Sequence, residues 1–271
     1  MPTSTYSQIN TFCLYLQKTR PNSLLDVGLG NGKMGFIARD LLDVMLGERY
    51  HRKSWKIRID GIEVYEDYIQ DHQRAIYDNI FIGDALEVID GLGTYEIIYL
   101  GDVLEHFYKE SAWQMLDKCA AHSTKYLIVS IPLGEGWVQG PEYRNPHEEH
   151  KSFWGFEEFE PFVSESSFLE FPGIGSYGTF LIRRDDFVHH RVREKANSIF
   201  ERGDTKEAIS WMTGSLQKET ADLSSELTLV DLLLKERMIP EAVERLERAS
   251  LLFPEENTVR QYLEKLKKTV H

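Results

Sequence analysis

The chain has 271 residues, with 31 Lys and Arg against 44 Asp and Glu, which gives a net charge of -13 at pH 7. Neutralising phosphates supplies most of the non-specific affinity that proteins have for nucleic acids, so this acidic balance argues against a nucleic-acid partner. No apolar run is long enough to cross a bilayer, so we expect no membrane span.

The cysteines and the start of the chain bear on the compartment. Cys13 and Cys119 are the only cysteines, and they lie far apart in the sequence. Residues 1–6 show no positively charged segment followed by an apolar one, as a secretory signal would. Both observations favour a cytoplasmic protein with reduced thiols.

The most informative segment is residues 23–32, Ser-Leu-Leu-Asp-Val-Gly-Leu-Gly-Asn-Gly. Its apolar start predicts a short buried strand, and its glycines predict a tight turn that lets a ligand approach the backbone. Residues 33–46 then predict a helix, whose first N–H groups would face the turn. A strand, a glycine turn and a helix together indicate a nucleotide-type cofactor site.

The glycine spacing alone leaves the cofactor open. Residues 30–35, Gly-Asn-Gly-Lys-Met-Gly, fit the dinucleotide pattern G-x-G-x-x-G. Asp26, however, lies just before the first glycine, where its charge would repel a pyrophosphate and attract a cation. A tight turn that binds nothing is a third interpretation of the same residues.

Further strands and helices alternate along the chain. Helices are predicted over residues 66–76 and 109–121. Strands are predicted within residues 56–63, 79–86, 95–106, 126–132 and 180–184. This alternation predicts an α/β fold with a Rossmann-like, doubly wound, mostly parallel sheet.

The motif of Asp26, Gly28, Gly30 and Gly32 resembles motif I of the class I S-adenosylmethionine-dependent methyltransferases, and the resemblance covers about residues 20 to 185. It implies S-adenosylmethionine as the cofactor. These four residues would then line the methionine and ribose side of the site.

The resemblance implies further cofactor contacts at the ends of later strands. Glu63 would hold the ribose and Asp84 the adenine, while Gly101 and Asp102 would line the cofactor after the fourth strand. A carboxylate offers free acceptors to hydroxyl and amino donors, which suits the first two roles. For Asp84, capping a helix N-terminus is an alternative role.

The stretch Asp102-Val-Leu-Glu-His106 resembles one that is common in small-molecule methyltransferases of this class. His106 would act there as general base, with His150 as the second candidate, since the ordinary pKa of histidine suits proton transfer from a hydroxyl. The alternative is a histidine that only binds solvent or backbone.

Asp102, Glu105, His106 and His150 also resemble a metal-binding pattern found in ubiquinone-biosynthesis O-methyltransferases and in small-RNA 3′-end methyltransferases. Those families tend to have Glu where this chain has Asp102. A divalent metal is therefore a hypothesis for these four residues, and we do not expect one to be bound.

Residues 186–271 show helical periods and an internal offset of 34 residues, which places Ala208 against Ala242. The pattern resembles tetratricopeptide repeats, with Gly203 in a turn between helices. We therefore predict a methyltransferase domain at 1–185 and a tetratricopeptide-like segment at 186–271 that could bind a protein partner. A generic helical extension is the alternative.

The sequence thus predicts methyl transfer from S-adenosylmethionine to an acceptor, most simply a hydroxyl of a small molecule or a sugar. Two alternatives stay open. One is a non-catalytic cofactor-binding scaffold that acts through its helical repeats, and the other is an NAD-dependent oxidoreductase that uses residues 30–35.

Overall fold

The computed structural model describes residues 5–142 and 145–270. Most of the starting segment that bears on secretion, residues 1–4, lies outside the described residues. The chain divides into two compact units, Met1–Asp186 and Phe187–His271. None of the described helices combines the length and the apolar character that crossing a bilayer requires.

The first unit is built on a seven-stranded sheet with the strand order β3-β2-β1-β4-β5-β7-β6. The strands are β1 Ser23–Val27, β2 Arg58–Glu63, β3 Asn79–Ile82, β4 Tyr95–Gly101, β5 Ser123–Leu133, β6 Glu165–Phe171 and β7 Gly175–Arg183. Strands β1 to β5 pair in parallel, whereas β7 runs antiparallel to both β5 and β6. The predicted α/β, doubly wound and mostly parallel sheet is therefore confirmed.

In the described part of the chain, one α-helix precedes the first strand, and four lie between the parallel strands. They are α1 Ile9–Thr19, α2 Lys33–Arg39, α3 Asp71–Ile76, α4 Ala85–Val88 and α5 Lys109–His122. The helix predicted over residues 33–46 becomes α2 followed by a π-helical stretch, Asp40–Met45. The helix predicted over residues 66–76 is interrupted, because a capping box at Gln70 and Gln73 starts a new helix after a short 3₁₀ turn.

The order of the strands places a crevice beside β1. From β1 the chain proceeds to β2 and β3 on one side, and then to β4 and β5 on the other side of β1. Open α/β sheets bind ligands at such a switch point, outside the carboxyl ends of the strands. The core below this edge includes fully buried Leu24, Ile59, Ile97 and Ile128. A rigid sheet core therefore holds the loops that form the site.

The second unit consists of helices. They include α6 Arg184–Glu201, which begins three residues before the unit does, α7 Thr205–Leu216, α8 Leu223–Lys235, α9 Ile239–Leu252 and α10 Asn257–Val270. Ala208 and Ala242 are fully buried in its core, and Gly203, with a φ of 91°, lies in the turn between α6 and α7. That this unit is a tetratricopeptide array, or that it binds a protein, stays a prediction.

Candidate active site

The glycine turn after β1 has left-handed backbone at each of its three predicted glycines. Gly28, Gly30 and Gly32 have φ values of 69°, 52° and 77°, a region that residues with a Cβ rarely adopt. A Cβ on Gly28 would also lie 2.7 Å from Cγ2 of Val103. The turn therefore requires glycine for its conformation and for the close approach of the loop after β4.

Asp26 lies inside β1, just before the turn, and only 2% of its surface is exposed. Its Oδ2 accepts a 2.5 Å hydrogen bond from the Tyr77 hydroxyl. Burial raises the pKa of Asp26 to about 7, a rise that the Tyr77 hydrogen bond opposes and that negative Glu63 supports. A cation bound beside this carboxyl group would favour its ionised form.

Glu63 ends β2 and braces the glycine turn. Its Oε2 accepts the N–H of Gly30 at 2.9 Å, and its Oε1 accepts the N–H of Tyr65 at 2.9 Å. Burial raises the pKa of Glu63, against the lowering effect of these backbone donors. Each oxygen keeps a second lone pair, so contact with a ribose remains open to it.

Asp84 caps α4, as the alternative interpretation of this residue had it. Its Oδ1 accepts the N–H of Leu86 at 2.9 Å, and the residue also lines the cavity described below. Capping engages one carboxylate oxygen, so contact with an adenine amino group stays a prediction for the other.

The end of β4 brings Gly101 and Asp102 to the same edge of the sheet. A Cβ on Gly101 would lie 2.1 Å from the Tyr99 hydroxyl, so a side chain does not fit there. Asp102 has a φ of 53°, and its Oδ1 accepts a 2.5 Å hydrogen bond from the Tyr177 hydroxyl. Strained backbone held in place by a specific hydrogen bond is common at functional sites.

His106 and His150 lie side by side, with their ring centroids 5.0 Å apart. Nδ1 of His106 contacts the carbonyl of Glu149 at 3.2 Å, and Nδ1 of His150 contacts the carbonyl of Trp137 at 2.7 Å. A carbonyl only accepts, so each Nδ1 donates a proton and each Nε2 faces away from that bond. Burial lowers the pKa of His106 to about 4, so its ring is neutral at pH 7.

Glu105 completes a group with these two histidines. One ligand atom from each of the three residues lies within 4.8 Å of the others. Glu105 is 2% exposed, and its Oε2 is buried without a hydrogen-bond partner in the part of the chain that the structure describes. Burial, together with negative Asp102, holds the pKa of Glu105 well above its usual range. Asp102, the fourth residue of the predicted metal set, is not a member of this group.

One cavity of about 550 Å³ joins the glycine turn to the histidines. Every predicted site residue except Gly32 lines it. Its lining includes Asp26, Gly28, Gly30, Glu63, Asp84, Gly101, Asp102, Glu105, His106 and His150. Gly32 starts α2 just behind the turn, where a Cβ would lie 2.8 Å from Cγ of Gln73. The residues predicted for cofactor binding and those predicted for catalysis thus line the same cavity.

Several residues of the site escaped sequence analysis. Tyr77, Tyr177 and Tyr68 donate hydrogen bonds to the carboxylates of Asp26, Asp102 and Glu148, respectively. Each tyrosine comes from a segment with no recognisable motif. The available signal was the number of acidic residues near strand ends, because a buried carboxyl group needs hydrogen-bond donors.

No family model matches the sequence, and no curated protein matches it. Three solved structures that resemble it are methyltransferases. The magnesium protoporphyrin IX methyltransferase from Synechocystis PCC 6803, solved with bound S-adenosylmethionine, is 13% identical over 65% of this chain and 78% of that chain, with a TM-score of 0.46. A S-adenosylmethionine-dependent methyltransferase from Archaeoglobus fulgidus is 16% identical over 65% of this chain and 94% of that chain, with a TM-score of 0.43.

An O-methyltransferase family protein from Burkholderia thailandensis is 11% identical over 65% of this chain and 55% of that chain, with a TM-score of 0.42. The chain thus spans about half the length of this relative. At these identities the likeness concerns the fold alone.

Proposed function

We propose that this protein transfers a methyl group from S-adenosylmethionine to a hydroxyl of a small molecule. The proposal depends on one observation: a single cavity joins a glycine turn, beside buried carboxyl groups, to a pair of histidines. Asp26 and Glu63 suit a ligand that carries a sulfonium and an ammonium group. The charge of Asp26 beside the turn opposes a pyrophosphate, which disfavours the NAD-dependent oxidoreductase.

The residues at one end of the cavity would bind the cofactor, and the histidines at the other end would act on the acceptor. When bound, S-adenosylmethionine supplies a methyl group on a positively charged sulfur. Asp26 and the glycine turn would hold its cationic end, and Glu63 would accept hydrogen bonds from its ribose. Holding donor and acceptor in line would supply much of the rate enhancement.

His106 would take the proton that the acceptor hydroxyl releases. As the new carbon–oxygen bond forms and the carbon–sulfur bond breaks, the hydroxyl proton passes to Nε2 of His106, since its Nδ1 already donates to Glu149. A base with a pKa of about 4 is weak, so it would act on a hydroxyl that becomes acidic only as methyl transfer proceeds. His150, at the other side of the pair, is the second candidate.

A second candidate role for the same histidines is to hold a divalent cation with Glu105. The buried and unpartnered Oε2 of Glu105 favours it, as do the two Nδ1 protons that carbonyls fix, since metal-binding histidines commonly donate their other N–H in this way. A cation there would lower the pKa of an acceptor hydroxyl. Such ligands suit Mg²⁺, Mn²⁺ or Zn²⁺.

Titration calorimetry with S-adenosylmethionine, S-adenosylhomocysteine and NAD tests the cofactor. We expect both sulfur ligands to bind and NAD not to bind, and saturating S-adenosylhomocysteine to raise the Tm on the order of 5 °C. Asp26→Asn should abolish much of the affinity for S-adenosylmethionine. Binding of NAD in place of the sulfur ligands would contradict the proposal.

Transfer of a labelled methyl group to small-molecule extract fractions tests catalysis. His106→Ala should lower turnover at least tenfold while leaving the Kd for S-adenosylhomocysteine nearly unchanged. Cofactor binding without transfer to any fraction would favour the non-catalytic scaffold. Chelator treatment followed by Mn²⁺ or Zn²⁺ then separates the two roles of the histidines, since only a metal site would show a Tm that depends on the cation.

A further inference from the structure

The loop after β5 carries His150. Hydrogen bonds connect this loop, through Tyr68 and Gln73, to the glycine turn. We define the histidine loop as residues 145–151, which begin just after the two residues outside the description. Lys151 N–H donates to the Glu105 carbonyl at 2.7 Å, which fixes one end of the loop against the segment after β4. The other end requires a different anchor.

That anchor is a buried cluster of Tyr68, Asn145 and Glu148, whose exposed fractions are 7%, 2% and 8%. The Tyr68 hydroxyl donates to Oε1 of Glu148 at 3.0 Å. Nδ2 of Asn145 contacts the same Oε1 at 3.2 Å and the Tyr68 hydroxyl at 3.2 Å. All three residues line the cavity, so the cluster forms part of its wall.

Tyr68 is tied in turn to the glycine turn through Gln73, which is fully buried. Nε2 of Gln73 donates to the Tyr68 carbonyl at 2.8 Å and to the Gly30 carbonyl at 2.8 Å. Gln73 therefore holds the backbone of the turn and the backbone of Tyr68 at a fixed separation. A ligand that orders Gly30 should also order Tyr68.

Asn145 passes this restraint into the loop. Its Oδ1 accepts the N–H of His147 at 2.9 Å, and its carbonyl accepts the N–H of Glu148 at 3.3 Å. Gln139 adds a link, since its Nε2 donates to the Glu148 carbonyl at 2.7 Å and its own carbonyl accepts the N–H of His150 at 3.0 Å. The chain of contacts runs without a gap from the glycine turn to His150.

We infer that Tyr68 is a positioning residue that couples occupancy of the cofactor site to the placement of the histidine loop, so that cofactor binds first and prepares the acceptor side of the cavity. This inference rests on the proposed function. The coupling acts through the Tyr68 hydroxyl, whose contacts with Glu148 and Asn145 join the cofactor segments to the loop from side chain to side chain.

Hydrogen exchange with S-adenosylhomocysteine as the probe tests the coupling. In the wild type, the probe should slow exchange both in residues 28–35 and in the histidine loop. In Tyr68→Phe, protection of residues 28–35 should persist, whereas ligand-dependent protection of the loop should fall at least about fivefold, as loss of the hydroxyl's hydrogen bonds with Glu148 and Asn145 predicts. Tyr65→Phe is the matched control, because it removes a neighbouring hydroxyl that makes no hydrogen bond among the described residues, and it should behave as the wild type.

Two substitutions of Glu148 separate positioning from simple packing. Glu148→Gln keeps an oxygen that can accept from Tyr68 and should retain the ligand-dependent protection of the loop, whereas Glu148→Ala, which leaves only the Asn145 contact, should lower it. This pair also serves if Tyr68→Phe proves to be poorly folded by its Tm. A Kd for the probe that stays within about twofold in all variants would place the effect on the loop and not on the cofactor site.

The outcomes distinguish the inference from the function on which it rests. Absence of protection in residues 28–35 of the wild type would overturn the proposed cofactor and the inference together. Protection of those residues without any effect on the loop would overturn the inference alone. So would a Tyr68→Phe variant, or a Glu148→Ala variant, whose loop responds to the probe as the wild type does.

Discussion

The hydroxyl of Tyr77 donates a 2.5 Å hydrogen bond to Oδ2 of Asp26. Both side chains are almost completely buried, and the pKa of each is raised by that burial. Asp26 is therefore about half protonated near pH 7 when the cavity holds no cation. We propose that Asp26 holds the positive end of the cofactor, and binding of that cofactor would shift the protonation equilibrium of Asp26 toward the ionised form.

Affinity for S-adenosylmethionine should rise with pH. Only ionised Asp26 attracts the cation, and with a pKa of about 7 its ionised fraction increases about tenfold between pH 6 and pH 8. Calorimetry in two buffers of different ionisation enthalpy should also show that binding releases protons near pH 7. Asp26→Asn supplies the control, because any dependence it retains comes from the ligand or from another group of the site such as Glu63, and equal profiles for both proteins would contradict the assignment.

Stability of the ligand-free protein should respond to the same group in the opposite sense. The pKa of Asp26 is 3.8 ordinarily and about 7 in the fold, so between these values the folded protein binds more protons than the unfolded chain. Stability contributed by this group is therefore lost as pH rises from about 4 to about 7. Asn does not titrate, so Asp26→Asn should not show this loss. Its unfolding free energy relative to that of the wild type should therefore rise by roughly 2 to 3 kcal/mol from pH 5 to pH 8. Urea titrations at the two pH values measure this gap, and a constant gap would exclude the raised pKa.

Gly35→Ala should disturb the cofactor site from behind. A Cβ on Gly35 would lie 2.2 Å from both Cζ and the hydroxyl oxygen of Tyr77, so the ring that holds Asp26 must move. We expect a loss of about 1 to 3 kcal/mol in unfolding free energy, as overpacking predicts, and weaker binding of S-adenosylhomocysteine. Gly214→Ala is the matched control, since α7 has nothing within 4 Å of a Cβ at that position, and it should be neutral or slightly stabilising. Equal stability of the two variants would show that Tyr77 yields without strain.

The sheet and the glycine turn could be predicted because local patterns determine them. Alternating apolar strands and helices fix an α/β fold, and the glycines at 28, 30 and 32 mark backbone that other residues rarely adopt. Strand β6 was not predicted, because it is an edge strand whose side chains are mostly exposed, so its sequence shows little apolar periodicity.

The partners of the site residues could not be predicted, since they come from distant parts of the chain. Tyr177 reaches Asp102 across 75 residues, and Tyr68 reaches Glu148 across 80. Such pairs depend on tertiary packing and leave no local pattern. The sequence grouped Asp102 with Glu105 as possible metal ligands, and it could not show that the Tyr177 hydroxyl binds one oxygen of Asp102.

Asp43→Asn should destabilise the first unit far more than its neighbour Asp40→Asn. Asp43 is fully buried in the π-helical stretch after α2, where it accepts a 2.7 Å bond from Arg39, itself 2% exposed, and another of 2.7 Å from Arg49. Burial would raise the pKa of Asp43, but hydrogen bonds from the Lys56 N–H and the two arginines outweigh it and leave the pKa lowered. Removing the charge leaves Arg39 with Asp78 as its remaining carboxylate partner, so we expect a loss of about 1 to 3 kcal/mol. Asp40 is exposed, so its variant should stay within about 0.5 kcal/mol of the wild type in the same urea titrations.

The effect of Asp43→Asn should also depend on pH. Because the pKa of Asp43 is lowered, its contribution to stability is present at neutral pH and is lost as the pH falls through the lowered pKa. The gap in unfolding free energy between the wild type and Asp43→Asn should therefore narrow in acid. A gap that is independent of pH would contradict the lowered pKa of Asp43.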